Sequence, residues 1–176
     1  MIEALISSKT RVKLLLKFFL NSNTRAYLRG LEEEFGESTN AIRLELNKLE
    51  KAGMVSSDVQ GNKKYFTANT KHPLFFDLNS IIKKYVGIDT IIENVISQLG
   101  DVERVYLTGE FAKGNDNNMI DLELVGTVNT NYLTELIQKA ELLVKRKIRY
   151  VIYSVDEFAA LKQTKNINEK LLIWSR

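Results

Sequence analysis

"YLTGEFAKGNDNNMIDLELVG", residues 106–126, decides the fold of the second half of this chain. The segment "VERVYLTG" is rich in β-branched and aromatic residues and reads as a strand. Gly109 ends it in a turn, a polar loop follows, and "IDLELVGTV" reads as a second strand. Residues two apart on a strand point the same way, so Asp121 and Glu123 share one face while Leu122 and Leu124 share the other. Two carboxylates so placed can share a hard divalent cation, and a glycine lets the backbone approach a phosphate.

The flanking segments supply the rest of an α/β pattern. "DTIIENVISQLG" is an amphipathic helix, with Asp89 as its expected cap and Gly100 as its stop. "NYLTELIQKAELLVKRK" is a helix, "IRYVIYSV" a third strand, and "DEFAALKQ" a short helix that Asp156 can cap. "KLLIW" fits strand or helix equally, because so short an apolar run has no decisive period. Helices alternating with strands indicate α/β packing.

The first half reads differently. "SKTRVKLLLKFFLNSN" places Val12, Leu15, Leu16 and Phe19 at helical spacing, with Lys13 and Lys17 on another face. "TRAYLRGLEEEFG" reads as a second short helix that buries Leu28, Leu31 and Phe35 and stops at Gly36. In "ESTNAIRLELNKLEKAGMV", Ser38 is the expected N-cap and Ile42, Leu46 and Leu49 form the buried stripe. Thr39, Arg43 and Asn47 project from another face, beside Asn40, and Gly53 closes the helix. "MVSSDVQGNKKYFTAN" is a hairpin, with Gly61 and Asn62 expected at positive φ and Lys63 and Lys64 just past its tip. His72 and Pro73 mark a boundary. "PLFFDLNSIIKKYVG" is then a helix with the stripe Phe75, Leu78, Ile82, Tyr85, suited to a dimer interface or to a bridge between domains.

Three helices followed by a basic hairpin can set one helix in a major groove and the hairpin on the flanking backbone. The segments "SSKTRVKLLLKFF", "AYLRGLEEEFGESTNAIRLELNKLEKAGMV" and "GNKKYFTANTKHPLF" together resemble the ArsR-like winged-helix transcriptional regulators. The resemblance covers residues 7 to about 87 and implies binding of double-stranded DNA, with a homodimer as the expected form. The implied DNA-contacting residues are Thr39, Asn40, Arg43, Asn47, Lys63 and Lys64. Glu32, Glu33, Glu34 and Glu37 lie close by and would weaken phosphate contact unless they point elsewhere.

The opening stretch resembles the motif of the minimal nucleotidyltransferase fold, over about residues 88 to 160. That motif carries Gly-Ser after the first strand, then Ala-Arg-Gly, then Ser-Asp-x-Asp on the second strand. Gly109 matches its glycine, Ala112, Lys113 and Gly114 match Ala-Arg-Gly, and Asp121 and Glu123 fall on its carboxylates. The resemblance implies a nucleotide ligand at Gly109, Glu110, Lys113 and Gly114, and a magnesium ion at Asp121 and Glu123. The departures count against catalysis. Glu110 replaces the phosphate-binding serine, Ile120 replaces a second serine, and "KIRYVIYSV" supplies no third acid. Arg149 or Tyr150 stands near the place of that acid. The expectation is a degenerate site with no catalytic residue and at most a weak magnesium site.

Composition bounds the remaining choices. The chain has 176 residues, no cysteine and a net charge of +3, which excludes disulfides, thiolate metal sites and a cysteine nucleophile. Residues 1–87 carry 14 basic and 9 acidic residues, whereas residues 88–176 carry 11 and 13. The first half alone therefore carries the excess positive charge that a polyanion would meet. No apolar run reaches the roughly 18 residues of a membrane span. The start "MIEALISSKTRVK" lacks a signal-peptide layout, so the expected compartment is cytoplasmic.

The sequence thus predicts an α+β chain of two domains. A winged helix-turn-helix spans 1–73, a connecting helix 74–87, and a nucleotidyltransferase-like α/β domain with a small mixed sheet 88–176. The expected function is a DNA-binding regulator whose second domain senses or oligomerises. The alternatives are an active magnesium-dependent nucleotidyltransferase of toxin–antitoxin type, targeted by its winged helix, and a scaffold that uses both halves for protein contacts.

Overall fold

In the computed structural model, which describes residues 6–164 and 170–176, Ser8 opens the first helix by accepting a hydrogen bond from the Arg11 N–H at 3.2 Å. The first five residues of the stretch read for signal-peptide layout lie outside the described residues. The fold is mixed α/β, and the chain divides into two compact units, Met1–Tyr85 and Val86–Arg176.

In the first unit, α1 (Lys9–Leu15) runs on into a π-helical turn, Leu16–Leu20. The widened turn lets all five of its residues be buried, Lys17 included. Lys17 is held there by Glu34 at 2.6 Å. A short strand β1 (Arg25–Tyr27) then precedes α2 (Leu28–Phe35). The helix expected over the whole of "TRAYLRGLEEEFG" is therefore shorter. Its first residues pair with a strand instead, Ala26 opposite Phe66 and Tyr27 opposite Tyr65. Gly36 closes α2 at φ +62°, a left-handed conformation that glycine adopts without a Cβ penalty.

Helix α3 (Thr39–Lys51) is capped by the Ser38 side chain, which accepts from the Ala41 N–H. It buries Ile42, Leu46 and Leu49. Strands β2 (Val55–Gln60) and β3 (Lys63–Ala68) form the hairpin, and the antiparallel sheet runs β1-β3-β2. Only Gly61 of the two turn residues has positive φ. Positive φ at the first turn position alone is the type II′ pattern, so Asn62 needs no unusual backbone.

Helix α4 (Phe75–Val86) turns its expected stripe inward rather than outward. Phe75 and Ile82 are buried, and the Phe75 ring lies 5.7 Å from that of Phe19. The exposed apolar side chains are Phe76, at 75% exposure, and Ile81.

The second unit begins with α5 (Ile88–Asn94), whose cap position is Gly87 rather than Asp89; Asp89 sits in the first turn. Strands β4 (Val102–Thr108), β5 (Met119–Gly126), β6 (Lys147–Tyr153) and β7 (Leu171–Ser175) form a mixed sheet in the order β6-β5-β4-β7. β4 pairs antiparallel with β5 and β7, and β5 pairs parallel with β6. A parallel pair needs a long crossover. Helix α7 (Thr130–Val144) supplies it and buries Leu133, Leu136, Ile137 and Ala140. The ambiguous run "KLLIW" falls in β7. Helix α8 (Val155–Thr164) is capped by Ser154 rather than Asp156. Ser154 Oγ accepts from the Glu157 N–H while Glu157 accepts from the Ser154 N–H at 2.8 Å, a reciprocal capping box. The α8 residue Phe158 stacks on Tyr106 at 5.1 Å. No helix among the described residues is long and apolar enough to cross a membrane.

Candidate functional site

Each unit contains a cleft that gathers residues singled out in the sequence. In the second unit, the chain leaves β4 at Thr108 and turns through a four-residue helix, α6 (Gly109–Ala112). Gly109 has φ +65°, and a Cβ there would collide with the Asp121 carboxylate. The glycine therefore does make a close approach, but to the chain's own acid. Thr108 pairs with Asp121 and Tyr106 with Glu123 across β4 and β5. Thr108, Gly109, Asp121, Glu123, Arg149 and Tyr150 line a cleft of about 280 Å³.

Both carboxylates are already neutralised. The parallel register sets Arg149 beside Asp121, and Arg149 Nε donates to Asp121 Oδ1 at 2.5 Å. That bond, with the nearby negative charge, raises the Arg149 guanidinium further above its ordinary pKa. Lys170 donates to Glu123, with both side chains mostly buried. The Lys170 ammonium also lies 5.3 Å from the centre of the Phe158 ring. A magnesium ion needs near-octahedral oxygen ligands. Here it would have to displace two tethered cations, and no third His, Cys, Asp or Glu joins the pair among the described residues. The donor set as arranged does not fit the ion.

Of the residues expected to hold phosphate, Gly109 lines this cleft and Glu110, Lys113 and Gly114 do not. Glu110 does not line this cleft; its carboxylate accepts from Asn115 at 2.9 Å and from Lys113 at 3.4 Å. Charge repulsion by Glu110 is thus not what closes the site; Arg149 and Lys170 are. Lys113 is half exposed, and Gly114 is buried at φ +81°. The loop beyond them is fastened by Arg146, which donates to Asp116 at 2.8 Å and to the Asn117 carbonyl, with its guanidinium 5.0 Å from the Phe111 ring.

In the first unit, α3, the β1–α2 junction and the hairpin turn enclose a cleft of about 500 Å³. Arg43, Asn47, Lys63 and Lys64 all line it; Thr39 and Asn40, one helical turn earlier, do not. Lys64 donates to Glu50 at 2.8 Å, and Lys63 lies 4.2 Å from the Tyr27 ring centre. The Lys64 bond, with one from Ser57, lowers the Glu50 carboxyl below its ordinary pKa. The four glutamates near α3 do not line this cleft. Glu34 turns to Lys17, and Glu37 to Lys13 at 2.7 Å and to Thr10. Burial raises the Glu37 carboxyl, but those bonds outweigh it and leave the pKa lowered.

Tyr27 and Arg29 also line the cleft, and sequence reasoning missed them. The signal was the alternation of Arg25, Ala26 and Tyr27, a strand period that the helical spacing of Leu28, Leu31 and Phe35 masked.

No family model and no curated protein matches the chain. Solved structures give distant likenesses. A tri-AMPylated HEPN toxin in complex with MNT antitoxin, from Shewanella oneidensis, is 15% identical over 51% of this chain and 71% of its own, at TM-score 0.38. A protein of Archaeoglobus fulgidus is 19% identical over 53% and 99%, at TM-score 0.39. A protein of Sulfolobus solfataricus named as a candidate nucleotidyltransferase is 22% identical over 56% and 86%, at TM-score 0.38. Likenesses this distant carry no argument about what this chain does.

Proposed function

We propose that the chain is a DNA-binding regulator. In this reading the first unit is an ArsR-like winged helix, and the second is a nucleotidyltransferase-like unit without catalytic activity that serves sensing or oligomerisation. The observation that carries it is the convergence of Arg43 and Asn47 from α3 with Lys63 and Lys64 from the hairpin around one cleft that no carboxylate lines. Cations so gathered neutralise phosphates and release counterions. The amide and guanidinium on the helix suit base edges. The wing lysines would contact flanking phosphates. A homodimer would use the exposed Phe76 and Ile81 of α4.

The second unit supports the inactive reading because Arg149 and Lys170 occupy the carboxylates that a metal would need. A second reading, an active nucleotidyltransferase of toxin–antitoxin type, has one observation in its favour. The Arg149 side chain is 68% exposed, so it can swing off Asp121 without unpacking the unit. The Shewanella likeness belongs with this second reading by name but at its TM-score lends it no weight.

Selection of bound fragments from random duplex DNA, followed by titration at several salt concentrations, tests the first reading. Lys63→Ala with Lys64→Ala should weaken binding to every sequence and reduce the salt slope by about 2. Arg43→Ala should cost about 1–3 kcal/mol on the selected sequence alone. Unchanged affinity in both variants would remove the DNA-binding assignment. Transfer of labelled nucleotide in the presence of magnesium, abolished by Asp121→Ala, would establish the second reading instead.

A further inference from the structure

The chain has eight arginines. Six are bonded within the molecule: Arg11 to Glu45, Arg25 to Asp58, Arg104 to Glu103, Arg146 to Asp116, Arg149 to Asp121, and Arg176 to the Gly100 carbonyl. Among the described residues, only Arg29 and Arg43 have no such partner, and both line the cleft of the first unit. Two unpaired guanidinium groups in one concavity, with no carboxylate in its lining, suit a bidentate anion such as a phosphate.

The rest of the lining describes what such an anion would be attached to. Half-buried Tyr27 and Leu28 give the cleft apolar surface over the buried Leu46 and Phe66, and Asn47 and Asn62 offer amides. Its volume of about 500 Å³ lies within the range of roughly 300–1,000 Å³ typical of small-molecule sites. The wing lysines fit the same picture, because Lys63 folds over Tyr27 and Lys64 reaches back to Glu50.

We propose that this cleft binds a phosphorylated small molecule with an apolar body, of nucleotide size. Arg29 and Arg43 take the phosphate, and Tyr27 and Leu28 take the body. Occupancy removes Arg43, Asn47 and the wing lysines from any other anion, so the ligand and DNA exclude one another. That exclusion rests on the DNA-binding reading given above; the ligand site itself does not.

The test uses the full chain in chelator, so that no metal assists binding in the second unit. Adenosine diphosphate, inorganic pyrophosphate and adenosine serve as probes in equilibrium dialysis. The diphosphate should bind one per chain and more tightly than either fragment. Arg29→Ala, an exposed position outside the residues assigned to DNA, should weaken it about tenfold. Asp121→Ala should leave it unchanged. No binding of the diphosphate, pyrophosphate binding as tightly as the diphosphate, or full affinity in Arg29→Ala would each overturn the site. In a second arm, the diphosphate should release duplex DNA from the unmodified chain and not, at the same concentration, from Arg29→Ala. A chain that binds no DNA at all, while Arg29 still governs the diphosphate, would overturn the DNA reading and leave the ligand site standing. DNA binding that ignores bound diphosphate would overturn the exclusion.

Discussion

Glu45→Gln should cost the first unit about 1–2 kcal/mol at neutral pH and nothing in acid. Glu45 is the buried carboxylate that fastens α3 to α1. It accepts from Arg11 Nε at 2.7 Å and Arg11 Nη2 at 3.3 Å, and from Lys48 at 3.1 Å. A hydrogen bond to a charged group is worth about 1.5–3 kcal/mol. Arg11 and Lys48 are 37% and 61% exposed, however, so water screens them and rehydrates them once released. The discount brings the sum to about 1–2 kcal/mol. The bond from Arg11 leads in lowering the Glu45 pKa from its ordinary 4.5. A carboxyl with a depressed folded pKa contributes stability above its unfolded pKa and loses it as pH falls through the folded one. The difference between Glu45→Gln and the unmodified chain should therefore be full at pH 7 and vanish in acid, once pH has fallen below the lowered folded pKa. Urea unfolding followed by circular dichroism reads it as a midpoint shift of about 1 M. The fluorescence of Trp174, the only tryptophan, follows the second unit and should not move. An equal loss at both pH values would show that packing, not charge, holds α3, and no loss at pH 7 would show that the bond contributes nothing.

Gly109→Ala should destabilise the second unit by at least about 1–2 kcal/mol, because the position is left-handed and its Cβ would displace Asp121. An unchanged Trp174 transition would refute this. Ser154→Ala removes one arm of the capping box on α8 and should cost about 0.5–2 kcal/mol, read as faster amide exchange at Glu157. Phe76→Ser with Ile81→Ser should convert a dimer to a monomer in sedimentation at micromolar protein. A dimer that persists would place the interface elsewhere.

What was legible in the sequence depended on whether the signal was local. Ser38 as cap, Gly36 as stop and the alternation of acid and leucine in β5 are read from a few neighbouring residues, and they stand as expected. The cap of α8 went to Ser154 because serine and aspartate compete within two positions, whereas α5 starts at Gly87 with no side-chain cap and leaves Asp89 in its first turn. The stripe on α4 was found, but its direction depended on Phe19, 56 positions earlier in the chain. The cleft in the second unit was legible as Gly109, Asp121 and Glu123. The side chains that neutralise it were not. Arg149 is opposite Asp121 only through the parallel register, and Lys170 reaches Glu123 from the start of the last strand. A motif records which groups are present; whether they are available is a long-range property.

The clamp formed by Arg146 has a kinetic consequence. A polar loop beside a cleft usually closes over its ligand, and that closure governs how fast the ligand leaves. This loop is bolted at Asp116 and Asn117 to the start of β6. Motion of the loop would first have to break both of those bonds. Entry to the cleft of the second unit is then timed by the rotation of the exposed Arg149 side chain. Exposed side chains change rotamer in picoseconds to nanoseconds. Any ion or small molecule that visits this cleft should come and go at a rate set by diffusion and by the breaking of one salt bridge, with no slow conformational phase.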